Sequence, residues 1–153
     1  MPKGLGGMSD LQIMNLFVLG KDKGGDLSEL NGLKSLRGSL CIRELQFCSI
    51  TDLKYVKYFD EKSRVQELEL HWDTYKYKRF KIDDASDEVI LECLKPHPNV
   101  RKMIIKGYRG MKLCDWLSSN FLSGLVSIEV YIVKNCSISL KLLNFHISRI
   151  FVL

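Results

Sequence analysis

The feature that most constrains the fold is an apolar spacing that occurs five times along the 153 residues. In each copy a second apolar residue follows the first by three or four positions, and a third follows two positions later. The copies are Leu11, Met14 and Leu16; Leu36, Leu40 and Ile42; Val65, Leu68 and Leu70; Val100, Met103 and Ile105; and Leu125, Ile128 and Val130. Their last positions, 16, 42, 70, 105 and 130, are separated by 26, 28, 35 and 25 residues.

This spacing predicts strands that each bury one face. Alternate residues of a strand point to opposite faces, so the last two apolar positions of each copy point to the same side. The pattern L-x-x-L-x-L marks the strand of a leucine-rich repeat, whose units run about 20–29 residues and stack around a shared core. We therefore predict an α/β solenoid of about five irregular repeats, curved, with a parallel sheet lining its concave side. The repeat domain is placed at residues 4–136, and residues 137–153 are expected to form an irregular C-terminal tail.

The long interval of 35 residues requires an insertion, and the polar stretch Asp73–Asp84 supplies it. Its sequence, DTYKYKRFKIDD, mixes tyrosines with basic residues. Such a mixture occurs in aromatic and basic patches that bind phosphates or single-stranded nucleic acid. The other interpretation, which we favour, is a solvated loop whose spaced aromatics cover an edge of the core.

The segments between strands are predicted to return as short helices or turns. Ser86 is expected to cap a helix whose first turn holds Asp87 and Glu88, acids that suit the positive end of a helix. Thr51 or Asp52 is expected to start another. The side chains predicted to cover the core are Leu27, Leu30 and Leu33; Leu53, Val56 and Phe59; Val89, Ile90, Leu91 and Leu94, before the helix stop at Pro96; and Trp116, Leu117 and Phe121.

Charge and cysteine content narrow the classes of function. The formal net charge is +5, but the basic residues are dispersed and form no stripe of the kind that nucleic-acid binding requires. The five cysteines are odd in number and form no C-x-x-C pair, which favours free thiols in a reducing compartment. No N-terminal apolar run with a cleavage site occurs, so we expect no signal peptide, and the apolar stretch at 138–153 is too short to span a bilayer. We expect a soluble cytoplasmic protein, with Cys48 and Cys114 as buried thiols, no nucleic-acid partner and no membrane span.

Five strings, which include linker and turn positions, resemble a known family. They are GKDKGGDLSELNGLKSLRGSLCIREL at 20–45, VQELELHWD at 65–73, SDEVILECLKPHPNVRKMIIKGYRG at 86–110, WLSS at 116–119 and LVSIEV at 125–130. In this order they resemble the repeat region of plant disease-resistance proteins of the coiled-coil, nucleotide-binding, leucine-rich-repeat class. The resemblance covers residues 4–130. After Val130 the family pattern is lost, because Asn135 and Cys136 arrive late, and we expect a truncated product or fragment.

The resemblance implies a function in plant immunity. In that family the repeat region helps to recognise pathogen molecules and holds a switch domain inactive. The implied partners are a pathogen effector or a host guard target, and the nucleotide-binding domain of the parent receptor. Full-length members bind ADP or ATP through that domain. This chain lacks the G-x-x-x-x-G-K-[ST] loop, and its glycine-rich start at 4–10 has no lysine, so no cofactor is expected here.

The outward strand positions are the predicted partner-binding surface. They lie beside the apolar positions, and their mixture of charges and aromatics suits a protein partner. They are Asn15, Phe17, Cys41, Arg43, Glu69, His71, Ile104, Lys106, Glu129 and Tyr131. Trp72 is added as a candidate aromatic anchor, although packing at the strand end is the interpretation that we favour.

The sequence predicts no catalytic or metal site. His71 has no ligand spacing to His97 or His146, so we expect a surface histidine. The acidic pairs at 83–84 and 87–88 are adjacent in the chain and do not converge on a cleft, and no G-x-S-x-G motif is present. We therefore expect no enzyme. The alternative function is a generic leucine-rich-repeat scaffold or adaptor, such as a ubiquitin-ligase substrate receptor.

Overall fold

The strands form one parallel sheet in the order in which they occur in the sequence. The computed structural model describes residues 3–20, 25–54, 59–73, 86–118, 121–132 and 149–152. Within these ranges the sheet has six strands, with the order β1 to β6. Their bounds are β1 Leu16–Val18, β2 Gly38–Arg43, β3 Val65–His71, β4 Lys102–Tyr108, β5 Ser127–Ile132 and β6 Arg149–Val152. The prediction of an α/β repeat solenoid with a parallel sheet is confirmed.

One side of the sheet, called the inner face below, packs into the shared hydrophobic core that the repeat pattern predicts. The concave face is the opposite side. The pairing aligns Ile42 with Leu70 and Leu70 with Ile105, and all three side chains are fully buried. The apolar positions predicted for the second, third and fourth copies are all buried. In the fifth copy positions 128 and 130 are buried, and Leu125 is half-buried against the core. Each repeat therefore covers the apolar face of its neighbours.

The first repeat lies one residue away from its predicted register. Strand β1 pairs with β2 so that Leu16 lies opposite Cys41 and Phe17 lies opposite Ile42. Phe17 is consequently the inward residue and is fully buried, whereas Leu16 is 45% exposed. The prediction that Leu16 faces the core and Phe17 the concave side is wrong. Because β1 is apolar at every position, its sequence does not distinguish between the two registers.

A sixth strand lies inside the predicted irregular tail. Residues Arg149–Val152 form β6, which pairs in parallel with β5 and places Ile150 opposite Val130. This part of the tail is regular and extends the sheet beyond the five predicted copies. Residues 133–148 lie outside the described residues, as does the insertion from residue 74 onward. The domain boundary at residue 136 and the form of the insertion therefore stay predictions.

Short helices return the chain from one strand to the next. They are α1 Glu29–Gly32, α2 Ile50–Leu53, α3 Asp87–Cys93 and α4 Asp115–Ser118, with 3-10 turns at Leu5–Gly7, Leu45–Phe47 and Phe59–Glu61. Ser86 caps α3 as predicted, because its hydroxyl accepts a hydrogen bond from the Val89 backbone N–H. Helix α2 begins differently from its prediction. Its cap is Ser49, since Ser49 and Asp52 bond reciprocally to each other's backbone N–H groups.

The helices cover the core largely with the predicted side chains. Buried members are Leu27, Leu30, Leu33, Leu53, Phe59, Ile90, Leu91, Leu94, Trp116 and Leu117. Phe121 is half-buried, and Val56 lies outside the described residues. Val89 is 46% exposed, contrary to its prediction, because it lies about 200° around the helix from Leu91. No helix in the described ranges has the length and apolar character needed to cross a membrane.

Two buried charged side chains tie separate segments together. Lys62 is 5% exposed, and its Nζ donates to the carbonyl oxygens of Leu30 at 2.7 Å and Leu33 at 3.0 Å, at the end of α1. Asp87 is also 5% exposed and lies in the first turn of α3, as predicted. It accepts hydrogen bonds from the backbone N–H, Nε and Nη2 of Arg109 at 2.9, 3.0 and 2.9 Å. Both charges are therefore structural.

Candidate interaction surface on the concave face

Two rows of side chains that run from β1 to β5 cross the concave face, which is the side of the sheet opposite the core; a shorter row nearer the start of the strands holds Ser39, Glu67, Lys102 and Ser127. Because neighbouring strands pair in register, each strand contributes one residue to each of the two longer rows. The first row is Leu16, Cys41, Glu69, Ile104 and Glu129; the second is Val18, Arg43, His71, Lys106 and Tyr131. Arg43 and His71 enter the second row because each lies one residue beyond the paired Ile42 and Leu70. In strand β6, positions 149 and 151 pair with Glu129 and Tyr131.

Hydrogen bonds within single strands connect the two rows. The His71 Nε2 lies 3.0 Å from a carboxylate oxygen of Glu69, and the Tyr131 hydroxyl donates to Glu129 at 2.9 Å. A carboxylate oxygen accepts, so Nε2 donates this bond in the tautomer that carries its proton there. Burial lowers the pKa of His71, and the hydrogen bond to Glu69 partly opposes that shift. In both β3 and β5, therefore, a glutamate of the first row is hydrogen-bonded to the residue two positions later, which lies in the second row.

The middle of the face combines a cation, an aromatic ring and a covered apolar side chain. The Lys106 ammonium lies 5.6 Å from the centre of the Tyr131 ring, within the range of a cation–π interaction. Ile104 occupies the first row between Glu69 and Glu129, yet it is only 7% exposed. The prediction that Ile104 belongs to this face is correct, but the side chain is covered. An apolar centre with polar groups around it is the composition of protein interaction patches.

A β-bulge ends the concave row of β4 just after Lys106. The register with β5 shifts between Lys106 and Tyr108, and the intervening Gly107 has φ +76°, a conformation that glycine adopts without strain. The bulge lets Tyr108 enter the core, where it is fully buried and its hydroxyl donates to the Lys112 carbonyl oxygen. Its ring meets Trp72 edge to face, with centroids 5.6 Å apart.

Of the eleven predicted partner-binding residues, Cys41 and Ile104 lie in the first row. Of the other nine, six lie on the concave face: Arg43, Glu69, His71, Lys106, Glu129 and Tyr131. Phe17 is buried because of the register of β1. Trp72 is 3% exposed, so its assignment to the concave face is wrong and the packing interpretation is correct. It directly follows His71, so alternation turns it toward the core. Asn15 is exposed but precedes β1 and lies outside both rows. That the six bind a partner stays a prediction.

Cys41, Glu69 and His71 form a cluster that the sequence does not reveal. One ligand atom from each residue lies within 4.8 Å of the others, and all three side chains are half-buried. Burial and the charge of Glu69 raise the pKa of the Cys41 thiol. Cys41 is far from Glu69 and His71 in the chain, and only the parallel pairing of Cys41 with Glu69 brings the three residues together. Inspection of histidine spacing alone therefore missed Cys41 as a neighbour of His71.

The other titratable groups of interest are held in structural surroundings. Burial raises the pKa of the Cys48 and Cys114 thiols, which keeps them protonated. Because a cysteine nucleophile acts as the thiolate, these two residues have the properties of structural thiols. Cys48 is fully buried, as predicted, and Cys114 is half-buried. The carboxylate of Asp87 is hydrogen-bonded to the Arg109 guanidinium. These groups therefore supply neither an activated thiol nor a free acid.

The parallel sheet in sequence order, the shared apolar ladder and the two outward rows define a leucine-rich-repeat protein. A family profile described as "R13L1/DRL21 LRRs" matches residues 27–147. The chain belongs to this leucine-rich-repeat family. Such repeats are interaction modules, which accords with a surface for protein partners.

The similar curated proteins are plant disease-resistance proteins. The chain is 35% identical over 137 residues to "Putative disease resistance protein RGA1" of Solanum bulbocastanum, over 89% of this chain and 13% of that protein. It is 30% identical over 132 residues to "Disease resistance protein RGA2" of the same species, over 86% and 13% respectively. "Putative disease resistance protein RGA4", also from that species, is 29% identical over 135 residues, over 88% and 13%. The chain thus spans about an eighth of these relatives. No solved structure matches it.

Proposed function

We propose that this chain is a recognition and regulatory surface of a cytoplasmic plant immune receptor. The observation that carries the proposal is the family match over residues 27–147, together with relatives that are named disease-resistance proteins. The partners would be a pathogen effector or a host guard target, and the nucleotide-binding domain of the parent receptor. The surface for these contacts would be the concave face.

The composition of the concave face supports a protein partner. It presents both signs of charge, in Arg43 and Lys106 and in Glu69 and Glu129. Tyr131 adds an aromatic ring, a residue type that often dominates the binding energy of interfaces. These side chains stand on paired strands, so binding requires little ordering of the backbone.

The regulatory part of the proposal rests on differential binding. A surface that contacts one state of a neighbouring domain more tightly than another shifts the equilibrium toward the favoured state. The concave face would hold the nucleotide-binding domain in its inactive state, and a pathogen-derived protein would compete for that contact. The nucleotide itself would be bound by that domain, and this chain would need no cofactor.

The test is a binding measurement with a nucleotide-binding domain from a disease-resistance protein of the same family. The 153-residue chain is tested against the ADP-bound and the ATP-bound domain by calorimetry or co-purification. We expect tighter binding to one nucleotide state than to the other. Reversing two exposed or half-exposed charges of the face, with Arg43→Glu and Lys106→Glu together, should weaken that binding at least tenfold.

The matched control is Lys54→Glu, which reverses an exposed charge at the end of α2, away from the sheet. It should leave the affinity within about twofold, because exposed charges far from a contact change binding little. Absence of binding in both nucleotide states would overturn the regulatory proposal. If Lys54→Glu and the double variant lose the same amount of affinity, the concave face is not the contact surface.

A further inference from the structure

We propose that Cys41, Glu69 and His71 form a zinc-binding site on the concave face, with a water molecule as the fourth ligand. The proposal concerns the sheet itself and does not depend on the immune function. Its basis is the meeting of three different metal-ligand side chains at one point of the sheet, all within 4.8 Å of one another.

The register of the sheet places the three side chains on one face. Cys41 on β2 lies opposite Glu69 on β3, and His71 follows Glu69 by two residues, so all three point to the same side. The two strands that carry the cluster are also paired along their other edges, β2 with β1 and β3 with β4. A site built on paired strands holds its ligands more closely than one built on loops.

The distances suit a small cation. Zinc bonds of about 2.0–2.3 Å at tetrahedral angles place the ligand atoms roughly 3.3–3.8 Å apart. The His71 and Glu69 atoms are already 3.0 Å apart, and the thiol sulfur lies within 4.8 Å of both. Small rotations of these half-buried side chains, with the histidine proton on Nδ1 so that Nε2 has a free lone pair, would therefore complete the triangle.

The donor set favours zinc over the abundant divalent cations. A cysteine sulfur is a soft ligand, whereas Mg²⁺ and Ca²⁺ take oxygen ligands almost entirely. Sulfur, imidazole nitrogen and one carboxylate oxygen are the three ligand types that zinc uses in proteins. Three protein ligands with water in the fourth position is a common zinc arrangement.

The surrounding charges are compatible with a bound dication. A thiolate and a carboxylate together carry two negative charges, so a zinc ion makes the ligated cluster neutral. Burial and then Glu69 raise the pKa of the Cys41 thiol, and the charges of Arg43 and Lys106 oppose that shift only in part, so the free cluster holds a thiol. The positive charges of Arg43 and Lys106 also repel an added cation. Zinc must therefore displace the thiol proton, so that the thiolate becomes its ligand.

The experiment is a cobalt and zinc titration of the chelator-treated 153-residue chain under reducing conditions. One equivalent of Co²⁺ should produce a thiolate-to-cobalt charge-transfer absorption in the near ultraviolet, and one equivalent of Zn²⁺ should abolish it. A large excess of Mg²⁺ should not. Zn²⁺ should also raise the melting temperature, because it binds only the folded arrangement.

Two variants identify the ligands. Cys41→Ser should remove the charge-transfer absorption, and His71→Gln should weaken Zn²⁺ binding by at least about 100-fold, a loss no smaller than that found for groups around a metal site. Both positions are half-exposed on the face opposite the core, so circular dichroism should show unchanged folding. Cys93→Ser is the matched control, since Cys93 is a half-buried cysteine on α3 and lies outside the cluster.

The proposal is overturned if the wild-type chain shows no charge-transfer absorption with Co²⁺. It is also overturned if Cys41→Ser retains that absorption, or if Cys93→Ser loses it to the same extent. In any of these cases the His71–Glu69 contact is an ordinary surface hydrogen bond.

Discussion

The two faces of the sheet differ in what each residue is required to do. Along β3, Leu68 and Leu70 are fully buried, whereas Glu69 and His71, which alternate with them, remain half-exposed and bond to each other. The inner residues pack against both neighbouring repeats, so a change there is felt by three strands. On the concave face, the hydrogen bonds of Glu69 with His71 and of Glu129 with Tyr131 join residues of the same strand. Adjacent residues of one strand therefore separate folding from recognition.

The interior also contains polar groups, and they are bonded differently from those on the concave face. Lys62 donates to two backbone carbonyls, and Asp87 receives three hydrogen bonds from Arg109. Polar groups removed from water are costly unless such bonds replace the lost hydration. On the concave face a single hydrogen bond such as Tyr131 to Glu129 supplements contact with water. Polar character alone therefore does not mark a recognition residue.

The largest effect should come from the inner face. Leu70→Ala removes a fully buried side chain that is aligned with Ile42 and Ile105. We expect the free energy of unfolding to fall by about 2–5 kcal/mol, from lost burial and a residual cavity. The measurement is urea unfolding followed by circular dichroism.

The control for this change is Glu67→Ala, on the same strand but exposed on the opposite face. It should alter stability by less than about 0.5 kcal/mol, as exposed substitutions usually do. Similar losses from Leu70→Ala and Glu67→Ala would contradict the division of the sheet into a folding face and a recognition face.

Asp87→Ala should cost about 2–4 kcal/mol, because it leaves the Arg109 guanidinium and backbone N–H without their bonds to this carboxylate. The lower part of the usual range applies since the arginine side chain is 25% exposed and recovers some hydration. A cycle with Arg109→Met and the double variant measures the coupling. Additive effects of the two changes would show that the pair contributes nothing beyond its separate parts.

The sequence predicts this fold well wherever alternation is visible. In β3, apolar and polar residues alternate at 67–71, so the inward and outward positions are unambiguous. In β1 every residue is apolar, and the register is decided by how β1 pairs with β2, which local pattern does not report. Because Trp72 directly follows the outward-facing His71, alternation also places Trp72 on the core side of the sheet. Its assignment to the concave face relied on the general behaviour of aromatics at interfaces.

The cluster of Cys41, Glu69 and His71 could not be predicted from spacing. Its existence depends on the alignment of β2 with β3, which is shifted at its start by an irregularity between Gly38 and Ser39. A shift of one residue would turn Cys41 to the other face relative to Glu69. Long-range pairing therefore determines the candidate site, whereas short-range pattern determines most of the core.

Lys62→Met tests the polar interior. The substitution keeps an unbranched side chain of similar length but removes the two hydrogen bonds to the carbonyls of Leu30 and Leu33. Burial lowers the pKa of Lys62, so the charge itself is held at a cost that methionine avoids. We expect a net loss of about 1–3 kcal/mol from the unsatisfied carbonyls. Lys54→Met, at an exposed position, is the control, and a stabilised Lys62→Met chain would contradict this account.

Tyr131→Phe should have the smallest effect on stability. It removes the hydroxyl that donates to Glu129 but keeps the ring beside Lys106. Since both groups can bond to water instead, the free energy of unfolding should fall by less than about 1 kcal/mol. Tyr131→Ala, which also removes the ring, should weaken binding to the nucleotide-binding domain at least fivefold while lowering the urea midpoint only slightly. A large drop in that midpoint with unchanged affinity would mean that Tyr131 supports the fold, and that the outer face is not reserved for recognition at this position.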